Sequence, residues 1–171
     1  MIKAFIGVGS NIDPQINIEK ALGLIMEYVD VTGISLFYKT KPLFDRKIND
    51  FLNGVWQIKT NLTPEELKFN ILKKIEKKLH RKKSKDKYCS RVIDLDLLLF
   101  GNEVIKNEKI IIPDPDVYTR PFIYVPLYEL APDLIFPDTG KPIKELVKNF
   151  DRDQLILMKE FSENLKGKIL G

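Results

Sequence analysis

The chain is poor in the residues that carry redox and zinc chemistry: its 171 positions hold one cysteine, one histidine and one tryptophan. Cys89 alone cannot close an intrachain disulfide, which suits a reducing compartment, and a cytoplasmic location is expected. The thiol reads either as a small filler or as a nucleophile activated by neighbouring cations. His80 stands among bases, and there is no CxxC or HExxH, so no zinc site is expected. No run of about 18 apolar residues occurs, so no membrane-spanning helix is expected. The start, MIKAFIGVGSN, is too short an apolar run for a signal peptide and lacks a small-residue cleavage site. GxxxxGK[ST] is absent, and Ile12 stands where a dinucleotide fingerprint begun by Gly7 and Gly9 needs its third glycine. Neither repeats nor low-complexity segments are visible.

What is present is a normally hydrophobic sequence, long enough for one domain over residues 1–171 with its own core. Its net charge of +4 is unevenly spread. Residues 73–91 carry ten Lys and Arg against Glu76 and Asp86, a net +8, while the remaining 18 bases and 22 acids leave the rest at −4. A local basic patch of this kind suits phosphate, on a nucleotide or on a nucleic acid.

Hydrophobic periodicity gives the element order. Residues 2–8 read as a buried strand, and Asn11-Ile12-Asp13-Pro14 as a turn into a helix reaching about residue 30. Residues 34–39 read as a second strand, 41–50 as a loop and 51–60 as a third strand. Thr63-Pro64-Glu65-Glu66 is a capping box opening a helix to about residue 80, with Leu67, Ile71, Ile75 and Leu79 as its apolar stripe. Residues 93–100 form a fourth strand and 104–112 a short hairpin. The proline-rich remainder reads as turns with short helices, and the last 20 residues give no signal. The order β-α-β-β-α-β predicts an α+β, ferredoxin-like sandwich with C-terminal additions.

Asp94-Leu95-Asp96 is the most informative local pattern. Alternation along a strand puts both carboxylates on one face and Ile93, Leu95, Leu97 and Leu99 on the other, with Leu98 and Phe100 continuing the acidic face. Two like charges at the mouth of a buried strand cost desolvation and repel, so stability alone does not account for them. Either they are salt-bridged at a surface end, or they hold a divalent cation. Oxygen-only ligation fits Mg²⁺, and a pair of ions could clamp an in-line phosphoryl displacement, with Arg91 in reach of a phosphate chain. Glu76 shares a helical face with Leu72 and Leu79, so it points to the core edge or pairs with nearby lysines. Asn53 and Phe122 could pair with and stack on a heterocycle, or be structural.

Together these residues resemble the 6-hydroxymethyl-7,8-dihydropterin pyrophosphokinase family of folate biosynthesis. The resemblance runs over about residues 3–140. It rests on Gly9-Ser10-Asn11, the run from Ser35 to Leu43, Asp50-Phe51-Leu52-Asn53, Ile75-Glu76, Leu79-His80-Arg81, Arg91-x-x-Asp94-Leu95-Asp96, Ile112-Pro113, Arg120-Pro121-Phe122 and Val125-Pro126-Leu127. It implies transfer of pyrophosphate from ATP to the pterin hydroxymethyl oxygen with release of AMP. By the same resemblance Asp94 and Asp96 hold two Mg²⁺ ions, and Asp96 helps deprotonate the hydroxyl. Arg81, Lys83 and Arg91 neutralise phosphate, with Arg81, Arg91 and Asp96 as the catalytic set. Glu76, Leu97 and Arg120 complete the ATP contacts. Thr40, Pro42, Leu43 and Asn53 read the pterin edge, and Phe51 and Phe122 stack on its faces. The loops at 41–50 and 82–90 are expected to close over the site. A monomer is expected, without nucleic-acid or membrane partners, and association with the next folate-pathway enzyme is left open. Phe44, His80, Cys89, Lys83 and Asp114 depart from the family pattern, and Asp114, in place of a phosphate-facing His, predicts weaker ATP binding. The competing reading is a ferredoxin-like RNA-binding module using the 73–91 patch, which would need aromatics exposed on the sheet.

Overall fold

Strand β1, Ile2–Ser10, is buried from its third residue onward, as a strand covered on both faces requires. It lies at the middle of the sheet in the computed structural model, which describes residues 1–42, 47–79 and 91–170. β1 pairs antiparallel with β4, Phe51–Thr60, on one side and with β5, Asp94–Phe100, on the other. β2, Asp30–Ile34, and β3, Tyr38–Thr40, both pair with the other edge of β4. A two-residue strand, Ile156–Leu157, adds to β3 and is numbered β8 after the hairpin pair β6, Ile105–Lys106, and β7, Ile111–Ile112. The sheet order is β5-β1-β4-β3-β8, with β2 also on β4. Helix α1, Pro14–Ile25, joins β1 to β2, and a helical segment joins β4 to β5. Each crossover skips one strand, so the architecture is the expected α+β ferredoxin-like sandwich.

Three local departures from the sequence reading have physical causes. The second strand begins earlier than expected and is broken. Helix α1 ends at Ile25 and not near residue 30, and β2 already runs from Asp30. Ser35 continues the pairing through Ser35 N–H to Val55 O (3.0 Å), and Phe37 leaves it to enter the core before β3. The second helix opens on the expected capping box, Glu66 N–H donating to Thr63 Oγ1 at 3.1 Å. It then runs as a π-helical stretch, Glu66–Leu72, before α2, Lys73–Lys78. A stripe repeating every four residues drifts around a helix of 3.6 residues per turn, and the wider π turn absorbs that drift. In β5 the register with β1 shifts between Phe5 and Ile6, pairing them with Leu99 and Leu97. This bulge reverses the expected faces of Leu99 and Phe100, since the extra residue flips the alternation beyond it. Leu99 packs with Leu98 on the face of the aspartates, and Phe100 with Leu95 and Leu97 on the other.

The two faces bury separate cores. On one, Ile6, Trp56, Ile58 and Leu97 meet α1, the π/α2 segment and the C-terminal helix α5, Lys159–Leu170. On the other, Phe5, Val55, Leu98 and Leu99 meet Ile123 and Leu127 of α3, Pro121–Leu130, together with Phe136 and Ile143. Ile143 leads directly into the short helix α4, Lys144–Val147. Among the described residues, no helix is long and apolar enough to cross a membrane.

Candidate active site

The second face is left open by α3 at one end of the sheet, and the strand register fixes what lies there. Gly9 is opposite Asp94 on one side and Asn53 on the other, and Asn53 is opposite Tyr38, so one row crosses four strands. In the neighbouring rows Gly7 faces Asp96, and Phe51 faces Thr40. The glycines are a spatial necessity at the centre of this floor: a Cβ on Gly9 would lie 2.6 Å from Asn53 Oδ1. Asn53 is buried and its amide donates to Thr40 Oγ1 at 2.8 Å, which fixes the orientation of the amide.

Gly9-Ser10-Asn11 does more than shape the floor. Ser10 Oγ donates to Val92 O (2.6 Å), Asn11 N–H to Arg91 O (3.1 Å), and Arg91 N–H to Asn11 Oδ1 (2.7 Å). These bonds tie the chain entering β5 to the end of β1 and set Arg91, 5% exposed, beside the aspartates. Asn11 Nδ2 also donates to Asn49 O at 3.0 Å, anchoring the approach to β4.

A cleft of about 250 Å³ opens over this floor. It brings together eight of the expected residues: Thr40, Phe51, Asn53, Arg91, Asp94, Asp96, Arg120 and Phe122. It also includes Lys41, Asp116 and Ile123, which the sequence reading missed. A second cleft, about 290 Å³, lies on the other side of Asp96 and is lined by Leu97 with Lys68, Lys73 and Lys109. Asp96 and Asp114 belong to both clefts. Lys68 Nζ donates to Lys109 O at 3.0 Å. Lys73 belongs to the basic patch read in the sequence, whereas Lys68 lies just outside it and Lys109 comes from the hairpin, so the patch gave no warning of these two. Pro42 lines a third cleft that shares Thr40, Lys41, Arg120 and Phe122 with the first. Glu76 is buried, at 4% exposed, and belongs to neither of the first two linings. Leu43, Phe44, His80, Arg81, Lys83 and Cys89 lie outside the described residues, as does the 82–90 loop.

The electrostatics centre on carboxylates. Burial, and then the charges of Asp116 and Asp94, raise the Asp114 carboxyl above its ordinary range, against the opposing pull of the Asp116 N–H and Lys68. Asp114 Oδ1 accepts that N–H at 2.9 Å, opening the single turn Pro115–Tyr118 that leads to Arg120. Arg120 Nε lies 4.0 Å from Asp116 Oδ1. Among the described residues no group of three or more His, Cys, Asp or Glu is gathered as a metal cage. Two carboxylates facing glycines leave the remaining coordination positions to water and phosphate, which is the habit of Mg²⁺. The centre of the sheet face needed by an RNA-binding module is packed under α3 with Val55, Leu98 and Leu99 buried, so among the described residues it presents no exposed aromatic platform there.

Comparison with known proteins agrees with this fold. Residues 5–132 match the model of the 7,8-dihydro-6-hydroxymethylpterin-pyrophosphokinase (HPPK) family. The chain is 39% identical over 159 residues to the 2-amino-4-hydroxy-6-hydroxymethyldihydropteridine pyrophosphokinase of Haemophilus influenzae, covering 91% of this chain and 98% of that one. The enzyme of the same name from Aquifex aeolicus is 38% identical over 146 residues, covering 85% and 90%. The Plasmodium falciparum HPPK-DHPS crystal structure with pterin and p-hydroxybenzoate superposes with a TM-score of 0.67 at 17% identity, which speaks for the fold. That match covers 85% of this chain and 42% of the longer one, so the chain spans less than half of that solved protein. By sequence over most of its length, and by fold, the chain belongs to the 7,8-dihydro-6-hydroxymethylpterin-pyrophosphokinase family.

Proposed function

We propose that this chain performs the family's reaction in folate biosynthesis, moving the β,γ-pyrophosphate of ATP to the hydroxymethyl oxygen of 6-hydroxymethyl-7,8-dihydropterin and releasing AMP, with the pterin in the first cleft and the nucleotide in the second. The observation that carries this is that two clefts of different chemistry meet at Asp96 and Asp114. One offers a fixed amide, a hydroxyl and two aromatic rings; the other offers lysines and an apolar wall.

In the first cleft Asn53 and Thr40 pair with the donor-acceptor edge of the pterin, while Phe51 and Phe122 cover its faces. That pose aims the hydroxymethyl group along the row toward Asp94. In the second cleft Leu97 packs on the base, and Lys68, Lys73 and Lys109 draw the triphosphate in. Arg91 and Arg120, both in the lining of the first cleft, reach the phosphates between the two. Their bound forms exclude water and hold the attacking oxygen in line with the β-phosphorus. Asp96, the more exposed of the pair, takes the hydroxyl proton as the new O–P bond forms and the bond from the β-phosphorus to the bridging oxygen of AMP breaks. Asp94 and Asp96 would hold Mg²⁺, which when bound neutralises charge on the triphosphate. Asp114 adds a carboxylate to this junction, and we expect it to weaken ATP binding relative to a neutral residue.

Incubation with ATP, Mg²⁺ and 6-hydroxymethyl-7,8-dihydropterin tests the reading: AMP must accumulate, whereas ADP or no nucleotide product overturns it. Asp96→Ala is expected to lose at least about a hundredfold in kcat, and a near-normal rate would remove Asp96 from the mechanism.

A further inference from the structure

The last strand and helix lie beyond residue 132, where the family match stops, yet they grip the strand that carries the pterin-edge hydroxyl. β8 pairs with β3 through Tyr38 opposite Leu157 and Lys39 opposite Ile156. Just before β3 stands Phe37, fully buried, and both of its backbone polar groups are taken by the C-terminal segment. Met158 N–H donates to Phe37 O at 2.9 Å, and Phe37 N–H donates to Ser162 Oγ at 2.8 Å. Ser162, 0% exposed, donates its own hydroxyl hydrogen bond to Met158 O at 2.6 Å. The Phe161 ring meets the Phe37 ring edge-on, with centroids 5.6 Å apart.

Phe37 in turn lies on β4. A Cβ at Gly54 would come within 2.5 Å of the Phe37 ring, so the ring sits directly on the backbone next to Asn53. From Phe37 the chain runs through Tyr38 and Lys39 to Thr40, which accepts the Asn53 amide. A contiguous set of contacts thus links one hydroxyl on α5 to the amide at the centre of the first cleft. The hydrogen bonds of Ser162 itself go to Phe37 and Met158, on the side of β3 and the first cleft.

We propose that Ser162 is a positioning residue for the pterin: by closing the bridge between Phe37 N–H and Met158 O it fixes the break before β3 and hence the Thr40–Asn53 pair. This rests on the pterin occupying the first cleft. Ser162→Ala leaves Phe37 N–H without its acceptor in a dry site, so β3 gains freedom at its first residue. The effect falls on pterin recognition and not on the nucleotide side.

The test compares steady-state constants of the full chain, wild type and Ser162→Ala, with Leu22→Ala as a control that opens a cavity in α1 away from β3. The expected result for Ser162→Ala is a pterin KM raised about tenfold, as for loss of one good hydrogen bond, with ATP KM and kcat within about twofold. Leu22→Ala is expected to lower Tm at least as far and leave pterin KM unchanged. Unchanged pterin KM in Ser162→Ala, a parallel rise of both KM values, or the same rise in Leu22→Ala overturns the proposal. If Ser162→Ala does not fold, hydrogen exchange on the wild type with and without 6-hydroxymethyl-7,8-dihydropterin decides. Added protection at Phe37 and residues 158–162 supports the link, and none overturns it. Absence of turnover in the wild type would instead refute the functional reading, so the two failures are distinguishable.

Discussion

At the scale of single residues, the site depends on where side chains are missing as much as on where they are present. Gly9→Ala places a methyl 2.6 Å from Asn53 Oδ1, too close for contact, so the amide held on Thr40 is expected to shift. Steady-state kinetics of that variant should show pterin KM raised about tenfold, roughly one hydrogen bond, with ATP KM unchanged. Asp114 is the residue with the clearest pH signature. Its native carboxyl titrates above the unfolded value of 3.8, so the folded state holds that proton more tightly than the unfolded one does. Its contribution to stability is therefore greatest in acid and is lost as pH rises from 3.8 through the raised native value. Denaturant melts in a chelator should show Asp114→Asn matching the wild type below that window and exceeding it at neutral pH, while its ATP KM falls. The aspartate pair was legible in the sequence because alternation is a local rule. The shared position of Asp114 between two clefts was not, because it follows from a turn held by Leu98 O, to which Asp114 N–H donates at 2.9 Å.

At the scale of elements, patterns read correctly wherever one period persisted, and failed where geometry changed within an element. The strand at 51–60 and the Thr63 capping box appear as the sequence implied. Thr63→Ala should cost about 1 kcal/mol in chemical unfolding, the usual worth of a cap, without changing either KM. The bulge in β5 could not be read, because Leu97, Leu98, Leu99 and Phe100 are all apolar and carry no mark of which face each takes. Helix α5 shows Phe161, Leu165 and Ile169 four apart among charged residues, so its amphipathic face was visible in principle. Its partner was not, because Phe37 lies 125 residues earlier in the chain.

At the scale of the molecule, the +4 net charge conceals a basic segment beside an acidic remainder. Lys73 carries that segment into the second cleft, where Lys68 and Lys109 add to it from outside the 73–91 run. Raising salt from about 0.05 to 0.5 M shortens the reach of these charges severalfold. ATP KM should therefore rise well above any change in pterin KM, and a parallel rise would mean that the lysines do not steer the nucleotide. The row from Asp94 through Gly9 to Asn53 has one more consequence. Neighbouring strands stand about 4.8 Å apart, so two steps across the sheet make a ruler of roughly 10 Å between the backbones of Asp94 and Asn53. Hydrogen bonding holds that pitch constant, whatever sits in the cleft. In the proposed pose, with the pterin edge at Asn53, the substrate is thereby measured, and an alcohol one carbon too short or too long is expected to stop off the mark, so that the sheet selects by length before any side chain selects by chemistry.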